Sequence, residues 1–259
     1  MPGNEALVVN YLIQHNRNLV LKHIGQINRI QNPGANGQLI DITSTDTLRT
    51  EDAGKKADIF LNGKGVSIKQ TGGSFLYNRL QRADMLKIFT DLHLSCPSHS
   101  LSMMDSLIQK FQNGEFDTRD RHWSEGFNQS DFVLLLEFLM MKGSPNRGVS
   151  DHPADFILTA PKTKITQNEI SFDTFNEYFT KYKGMIYLTI RRQWIGQSSN
   201  SEHNRASSLA RKPGNAPWVF KKIAGSPRTR SGRAAWRSET QCPSKDRRTV
   251  YMIFLQVKP

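Results

Sequence analysis

The segment 58–69 contains the residues whose types and spacing best suit chemistry. It reads Asp-Ile-Phe-Leu-Asn-Gly-Lys-Gly-Val-Ser-Ile-Lys, with a short β-rich run on each side of Asn-Gly-Lys-Gly at 62–65. Asparagine and glycine tolerate the positive φ angles of a tight turn, so the segment predicts a β-hairpin. A turn over 62–65 pairs Asp58 with Lys69 and places Ser67 on the same face as both. The other face is expected to be aliphatic and to contain Ile59, Leu61, Val66 and Ile68.

An aspartate beside a polar-x-Lys sequence on the neighbouring strand is the arrangement of a magnesium-dependent phosphodiesterase core. Asp58 would hold a hard cation, and the peptide carbonyl of Ile68 would supply a second oxygen ligand. Lys69 would orient or help to deprotonate the attacking water and would offset charge on the phosphate. The same two charged residues also fit a surface ion pair worth about 0.2–1 kcal/mol, and their spacing alone leaves both interpretations open.

A further carboxylate lies in an amphipathic helix predicted over 4–14. Asn4 is a suitable N-cap, and the apolar residues recur at helical spacing. Glu5 is expected to bring its side chain to the metal site as an additional ligand. Alternatively, Glu5 is a first-turn glutamate that complements the helix dipole.

The charge of the chain is concentrated in its final third. Lys and Arg number 35 against 23 Asp and Glu, a formal net charge of +12. Residues 181–259 hold 17 of these basic residues and three acidic ones, a net of +14, which leaves −2 for residues 1–180. Such a distribution predicts a polyanionic partner, with nucleic acid first and an anionic membrane second.

Several classes of protein are disfavoured by the composition. The longest apolar run, 132–141, is interrupted by Glu137 and is shorter than the ~18 residues of a membrane span. The first residues do not combine a basic region with a hydrophobic stretch, so we expect a cytoplasmic protein. Cys96 and Cys242 cannot form a zinc cluster by themselves and are interpreted as ordinary thiols.

Helical and strand patterns alternate irregularly along the chain, which predicts a mixed α/β architecture. The predicted helices beyond the first are 75–93, 101–112, 129–142 and 172–183. The predicted strands outside the hairpin are 39–42, 156–160, 185–191 and 250–257, and 196–217 is expected to be loop.

The chain resembles the small PD-(D/E)xK type II restriction endonucleases, in particular the monomeric branch that cuts four-base G+C sites. Three groups of segments, in the order of the family, carry the resemblance. The first runs from Leu-Ile-Asp-Ile-Thr-Ser-Thr-Asp-Thr at 39–47 to Lys-Ala-Asp-Ile at 56–59 and Ser-Ile-Lys-Gln at 67–70. The second runs from Trp-Ser-Glu-Gly-Phe at 123–127 through the helix 129–142 to Pro-Ala-Asp-Phe-Ile-Leu at 153–158. The third joins Ala-Arg-Lys-Pro-Gly at 210–214 to Leu-Gln-Val-Lys at 255–258.

The resemblance implies a mixed central β-sheet flanked by helices, the core of this superfamily, with a basic C-terminal recognition lobe. It implies that Asp58 binds Mg²⁺ and that Lys69 is the catalytic lysine. Ser67 departs from the pattern, because most relatives have Glu or Asp at this position and this branch has Asn or Gln. A hydroxyl binds magnesium more weakly than a carboxylate does, so Ser67 acts through water or Glu5 supplies the second carboxylate.

The resemblance also implies how the chain would bind double-stranded DNA, as a monomer. Gln256 and Lys258 correspond to the strand that reads base edges in the major groove, where Lys can donate to guanine. Alternatively, these two residues belong to an edge strand, in which the lysine discourages pairing with another chain. Basic residues of the final third would contact phosphates and set the register on the duplex, among them Arg211, Lys212, Arg228, Arg230 and Arg233.

These expectations divide the chain into a catalytic core at 1–95, a helical segment at 96–145 and a basic DNA-recognition lobe at 146–259, packed as one compact unit. The competing hypothesis is a non-catalytic nucleic-acid-binding protein in which Asp58 and Lys69 form a surface pair. A basic peripheral membrane protein is a weaker third, because the chain lacks an amphipathic helix with lysines on one side and large apolar residues on the other.

Overall fold

The computed structural model describes residues 5–16, 18–45, 55–71, 75–112, 115–116, 118, 120–145, 147–194 and 249–257. By its internal contacts the chain divides into two compact units. The first takes its described residues from Met1–Asn78, Val133–Ile186 and Val257–Pro259, and the second from Arg79–Phe132 and Tyr187–Gln256. The segments of the two units thus alternate along the chain. The predicted functional segments, with boundaries at 95 and 145, are instead consecutive, and that division stays a prediction.

Five α-helices and fourteen strands form within the described residues. The helices are α1 Glu5–His15, α2 Arg82–Asp91, α3 Pro97–Gln112, α4 Gln129–Glu137 and α5 Phe175–Tyr182, and a π-helical turn at Phe138–Lys142 continues α4. The strands are β1 Val20–Leu21, β2 Gly25–Gln26, β3 Ile30–Pro33, β4 Leu39–Asp41, β5 Ile59–Leu61, β6 Lys64–Gln70, β7 Phe75–Gln81, β8 Asp120–His122, β9 Gly143–Ser144, β10 Gly148–Val149, β11 Phe156–Ala160, β12 Ser171–Asp173, β13 Ile186–Trp194 and β14 Thr249–Val257.

The first unit contains a six-stranded sheet in the order β12-β11-β6-β5-β3-β4. Strands β6 and β11 are parallel, and the other neighbours are antiparallel, so the sheet is mixed. The predicted mixed α/β class, with a mixed central sheet flanked by helices, is confirmed at this level.

Helix α1 packs on one face of this sheet. Val8, Val9 and Leu12 are at most 1% exposed and belong to the same buried cluster as the aliphatic side chains of the hairpin. Those side chains are Ile59, Leu61, Val66 and Ile68, the four predicted to share a face. Burial of this face stabilises the hairpin and fixes which side chains point the other way.

The predicted hairpin is present, but its predicted register is wrong. The observed pairs are Ile59 with Val66 and Leu61 with Lys64. The turn is the two residues Asn62 and Gly63, with φ of 51° and 77°, both in the left-handed region that such a turn requires. The shift from the predicted register is two residues, which preserves the faces because side chains alternate with a period of two.

Contacts distant in sequence select this shorter turn. The side chain of Asn62 accepts the backbone N–H groups of Asn28 and Arg29 and donates to the carbonyl of Gln26. Gly65 lies within β6, where a Cβ atom would come within 2.2 Å of the Pro153 carbonyl oxygen. The glycine at 65 is therefore required for a close backbone approach and not for the turn.

The second sheet has the order β7-β14-β13-β8. Its strand β7 corrects the helix predicted over 75–93, since 75–81 is strand and only 82–91 is helical. Strand β7 lies beside β14, from the far end of the chain, and sheet pairing of this kind overrides local preference. The other predicted helices are present with shifted ends, and so are the strands 39–42, 156–160, 185–191 and 250–257.

The apolar run 132–141 forms the buried part of α4 and the π-helical turn, with Leu135, Leu136 and Leu139 at most 1% exposed. Within the part of the chain that the structure describes, no helix combines the length and the apolar character needed to span a membrane. Cys96 is a free, exposed thiol, while Cys242 and the loop predicted over 196–217 lie outside the described residues.

Candidate active site

Asp58 lies immediately before β5 and is tied to β6 by its main chain and its side chain. Its N–H donates to the carbonyl oxygen of Val66 over 2.8 Å, although Val66 is paired with Ile59. Its Oδ2 accepts the N–H of Ile68 at 2.7 Å and the hydroxyl of Ser67 at 3.4 Å. Both hydrogen bonds from described residues end on Oδ2, so Oδ1 of the same carboxylate remains available for a ligand.

Ser67 and Lys69 occupy successive positions on the same face of β6. The Lys69 ammonium donates to Ser67 Oγ at 2.6 Å and to the carbonyl oxygen of Ile68 at 3.2 Å. Ser67 is 1% exposed, so its hydroxyl is enclosed between the Asp58 carboxylate and the Lys69 ammonium. Asp58 and Lys69 are not the directly paired residues that the sequence predicted, and the serine hydroxyl connects them.

The carbonyl of Ile68 points to the same side of β6 as the Asp58 carboxylate. Within a strand, the N–H and C=O groups of one residue face the same neighbour. The Ile68 N–H donates to Asp58, and the carbonyl of Val66, two residues earlier, accepts from Asp58. Strand geometry thus places the predicted second oxygen ligand beside the aspartate.

Glu5, the first residue of α1, lies within electrostatic range of this group. Burial raises the pKa of its carboxyl above the ordinary value, and the negative charge of Asp58 raises it further. The ammonium groups of Lys69 and Lys55 act in the opposite direction. Glu5 thus lies close enough to Asp58 and Lys69 for their charges to act on it, and its role as a metal ligand stays a prediction.

Lys56 is a fourth charged residue near this site that sequence reasoning did not select. Its side chain is half-buried and donates to the carbonyl oxygen of Leu139 at 2.8 Å. Burial lowers the pKa of Lys56 to about 8, the Lys69 ammonium lowers it too, and the Asp58 carboxylate opposes them. The only signal of this in the sequence is that Lys56 lies two residues before Asp58, the predicted metal ligand.

The loop 152–155 supports the site from a distant part of the chain. The carbonyl of His152 accepts the N–H groups of Lys56 and Ala57 at 3.0 and 2.9 Å. Asp155 binds Gly65 twice, since its Oδ2 accepts the glycine N–H and its own N–H donates to the glycine carbonyl. These bonds fix both the segment before Asp58 and the start of β6, and they explain part of the Pro-Ala-Asp motif at 153–155.

The donor atoms at this locus suit a hard divalent cation. Asp58, Glu5 and the Ile68 carbonyl offer only oxygen, the ligand preferred by Mg²⁺, which usually keeps several of its waters. No cluster of three or more His, Cys, Asp and Glu side chains suited to a metal occurs among the described residues. A magnesium ion here would thus depend on two carboxylates, a main-chain carbonyl and water, with Ser67 hydrogen-bonded to Lys69 rather than available as a strong ligand.

The predicted DNA-reading residues are only partly within the described chain. Gln256 belongs to β14, next to the end of that strand. Lys258 and the predicted phosphate-binding residues lie outside the described residues: Arg211, Lys212, Arg228, Arg230 and Arg233.

The chain was also compared with known proteins. No protein-family model, no curated protein and no solved structure matches it.

Proposed function

We propose that this chain is a type II restriction endonuclease. It hydrolyses phosphodiester bonds of double-stranded DNA with Mg²⁺, at a short, four-base, G+C-rich palindromic site. The observation that carries the proposal is the convergence of the Asp58 carboxylate, the Ile68 carbonyl and the Lys69 ammonium at adjoining strands. This is the core implied by the resemblance to the PD-(D/E)xK enzymes, formed by the residues that carry the resemblance.

In this proposal Asp58, Glu5 and the Ile68 carbonyl hold the cation. When bound, Mg²⁺ offsets charge on the phosphate and makes a bound water more acidic. Asp58 is oriented for this role by the Ile68 N–H, which leaves Oδ1 available for the cation.

Lys69 acts on the attacking water and on the phosphate. Its ammonium is held by Ser67 Oγ and the Ile68 carbonyl, so that one of its three donors remains for the scissile group. A positive charge fixed there favours the extra negative charge of the pentacovalent phosphate over that of the ground state. Ser67 is thus a positioning residue for Lys69 in place of the acidic metal ligand of other family members.

The basic final third would bind the duplex. Its net charge of +14 over residues 181–259 suits the phosphate backbone, and binding should depend steeply on salt. Gln256 and Lys258 are proposed to read base edges, and Arg211, Lys212, Arg228, Arg230 and Arg233 to contact phosphates.

Incubation of purified protein with plasmid DNA and Mg²⁺ tests the proposal. Discrete fragments are expected, and sequencing of their ends identifies the target bases and the cleaved bond. The variants Gln256→Ala and Lys258→Ala should lose cognate cutting and retain weak nonspecific binding. If both cut the same sites at the wild-type rate, the C-terminal strand does not read sequence.

The second candidate is a non-catalytic nucleic-acid-binding protein. The buried Ser67 favours it, because a hydroxyl hydrogen-bonded to Lys69 replaces the second acidic ligand. This candidate predicts a DNA complex without strand scission at any Mg²⁺ concentration. Sedimentation of that complex also tests the monomeric state proposed for the nuclease.

A further inference from the structure

Lys56 is a half-buried ammonium that the proposed mechanism does not use. The residues that the structure describes provide it with one hydrogen-bond acceptor, the Leu139 carbonyl at 2.8 Å, and with no carboxylate in salt-bridge contact. Removing an ammonium from water costs free energy unless its donors are satisfied. One acceptor satisfies one of its three donors, so two remain for another ligand.

Lys56 lies next to the candidate active site, where the charges of Asp58 and Lys69 act on its ammonium. Its backbone N–H is bonded to the His152 carbonyl, and its side chain to the π-helical turn at Phe138–Lys142. Only Ala57 separates it from Asp58, so the two Cα atoms are at most about 7 Å apart. The lysine is thus held from two sides next to the aspartate that is proposed to bind the cation.

The charge balance of the site indicates what this ligand is. Asp58 and Glu5, when ionised, contribute two negative charges, and the ammonium groups of Lys55, Lys56 and Lys69 contribute three positive charges. A divalent cation would increase this positive excess, which suits the extra negative charge of a phosphodiester at its transition state. Lys56 contributes one unit of that excess.

We infer that Lys56 binds a nonbridging phosphate oxygen of the DNA strand at or next to the scissile bond. The inference rests on the proposed nuclease function and extends it by one substrate-binding residue. Leu139 holds the ammonium in place, and a phosphate oxygen satisfies its remaining donors. A compact ammonium is suited to this contact as a point charge.

The test compares the wild type with Lys56→Met, which keeps the aliphatic length and removes the charge. Duplex binding is measured against salt concentration with Ca²⁺ in place of Mg²⁺, and recovery of intact duplex is checked. Loss of one phosphate contact should reduce the slope of log K against log salt by about 0.9. Lys56→Arg should keep the wild-type slope, and so should Lys64→Met, a matched change at an exposed lysine of the same hairpin.

A neutral methylphosphonate at the scissile or the adjacent position identifies the contacted phosphate. For one of these duplexes the wild type should lose about tenfold more affinity than Lys56→Met, because the neutral linkage removes the Lys56 contact from the wild type only, whereas any contact of Lys69 or of the cation is weakened in both. The inference is overturned if Lys56→Met has the same salt slope as the wild type. It is also overturned if Lys56→Met loses as much affinity as the wild type when the neutral linkage is placed at either position. If the wild type neither binds nor cuts DNA, the proposed function itself fails.

A measurement on the unaltered protein covers the case in which Lys56→Met does not fold. Bound duplex should protect Lys56 from an amine-reactive reagent, as read by mass spectrometry, and should leave Lys64 reactive. Equal labelling of Lys56 with and without bound duplex overturns the inference in a protein that still cuts DNA.

Discussion

The backbone N–H of Ile68 donates to Asp58 Oδ2 over 2.7 Å, although Asp58 precedes the paired residues of β5. The bond ties the carboxylate to the strand that carries Lys69, and it aligns the Ile68 carbonyl with that carboxylate. One main-chain contact thus holds together the two oxygen atoms, one from a side chain and one from the backbone, that are proposed to bind the cation.

Asp58→Asn should abolish Mg²⁺-dependent cleavage and preserve the fold. The amide oxygen can still accept from Ile68, so the free energy of unfolding should fall by only about 1 kcal/mol. Cleavage should fall on the order of a thousandfold, because the cation supplies several kcal/mol of transition-state stabilisation. Plasmid cleavage and thermal unfolding check both expectations, and cleavage at more than a tenth of the wild-type rate would remove Asp58 from the metal site.

Ser67→Asp should restore the acidic residue of the family pattern and strengthen metal binding. Its carboxylate would replace a hydroxyl that lies 3.4 Å from Asp58 Oδ2, so like charges repel in the metal-free protein. We expect a lower melting temperature without metal and a larger increase on addition of Mg²⁺ than in the wild type. Calorimetric titration should show tighter Mg²⁺ binding.

Ser67→Ala is the matched control for this prediction. It removes the hydroxyl that holds Lys69 and adds no charge, so Mg²⁺ affinity should stay near the wild-type value while the cleavage rate falls. If Ser67→Asp and Ser67→Ala respond to Mg²⁺ alike, residue 67 does not face the cation.

Glu5→Gln should change how stability depends on pH. The folded-state pKa of Glu5 is raised, so the stability linked to its protonated form is present below the unfolded pKa and lost as pH rises through the folded pKa. Glutamine stays neutral, so the metal-free variant should gain stability relative to the wild type as pH rises above about 4.5. Denaturant unfolding at pH 4 and pH 7 measures this difference.

Addition of Mg²⁺ at pH 7 should make the wild type more stable than Glu5→Gln, because only the wild type has a carboxylate at position 5 to bind the cation. A variant that is stabilised by Mg²⁺ as much as the wild type would show that Glu5 is a helix-capping glutamate and not a ligand.

Gly65→Ala should destabilise the hairpin that carries the site. The added methyl group would meet the Pro153 carbonyl oxygen at 2.2 Å, and crowding of this kind typically costs about 1–3 kcal/mol. Gly184→Ala is the control, since no atom lies within 4 Å of a Cβ built there. Equal unfolding free energies for the two variants would contradict the close approach of β6 and the loop 152–155.

The faces of the hairpin could be predicted from sequence because they depend on alternation alone. The aliphatic set under α1 and the polar set of Asp58, Ser67 and Lys69 are the predicted ones. The register could not be predicted, because Asn62-Gly63 and Gly65 both fit turn chemistry. The choice between them depends on Pro153 and Asp155, which contact Gly65 from a distant segment.

Non-local contacts also explain the remaining differences. Lys56 was not selected from sequence because Leu139 and His152, distant in the chain, define its surroundings. Strand β7 was predicted as helix because its neighbour β14 comes from the opposite end of the sequence. In each case the local pattern allowed two structures and tertiary pairing selected one.

In the proposed mechanism, Asp58 and Lys69 form a metal-dependent nuclease site. Its most direct test is cleavage of supercoiled plasmid by the wild type, Lys69→Ala and the control Lys64→Met, each with Mg²⁺ and with a chelator. Discrete fragments are expected from the wild type and Lys64→Met with Mg²⁺ only, and DNA binding without scission is expected from Lys69→Ala. Binding without scission by the wild type, or the same fragments from Lys69→Ala, would contradict it.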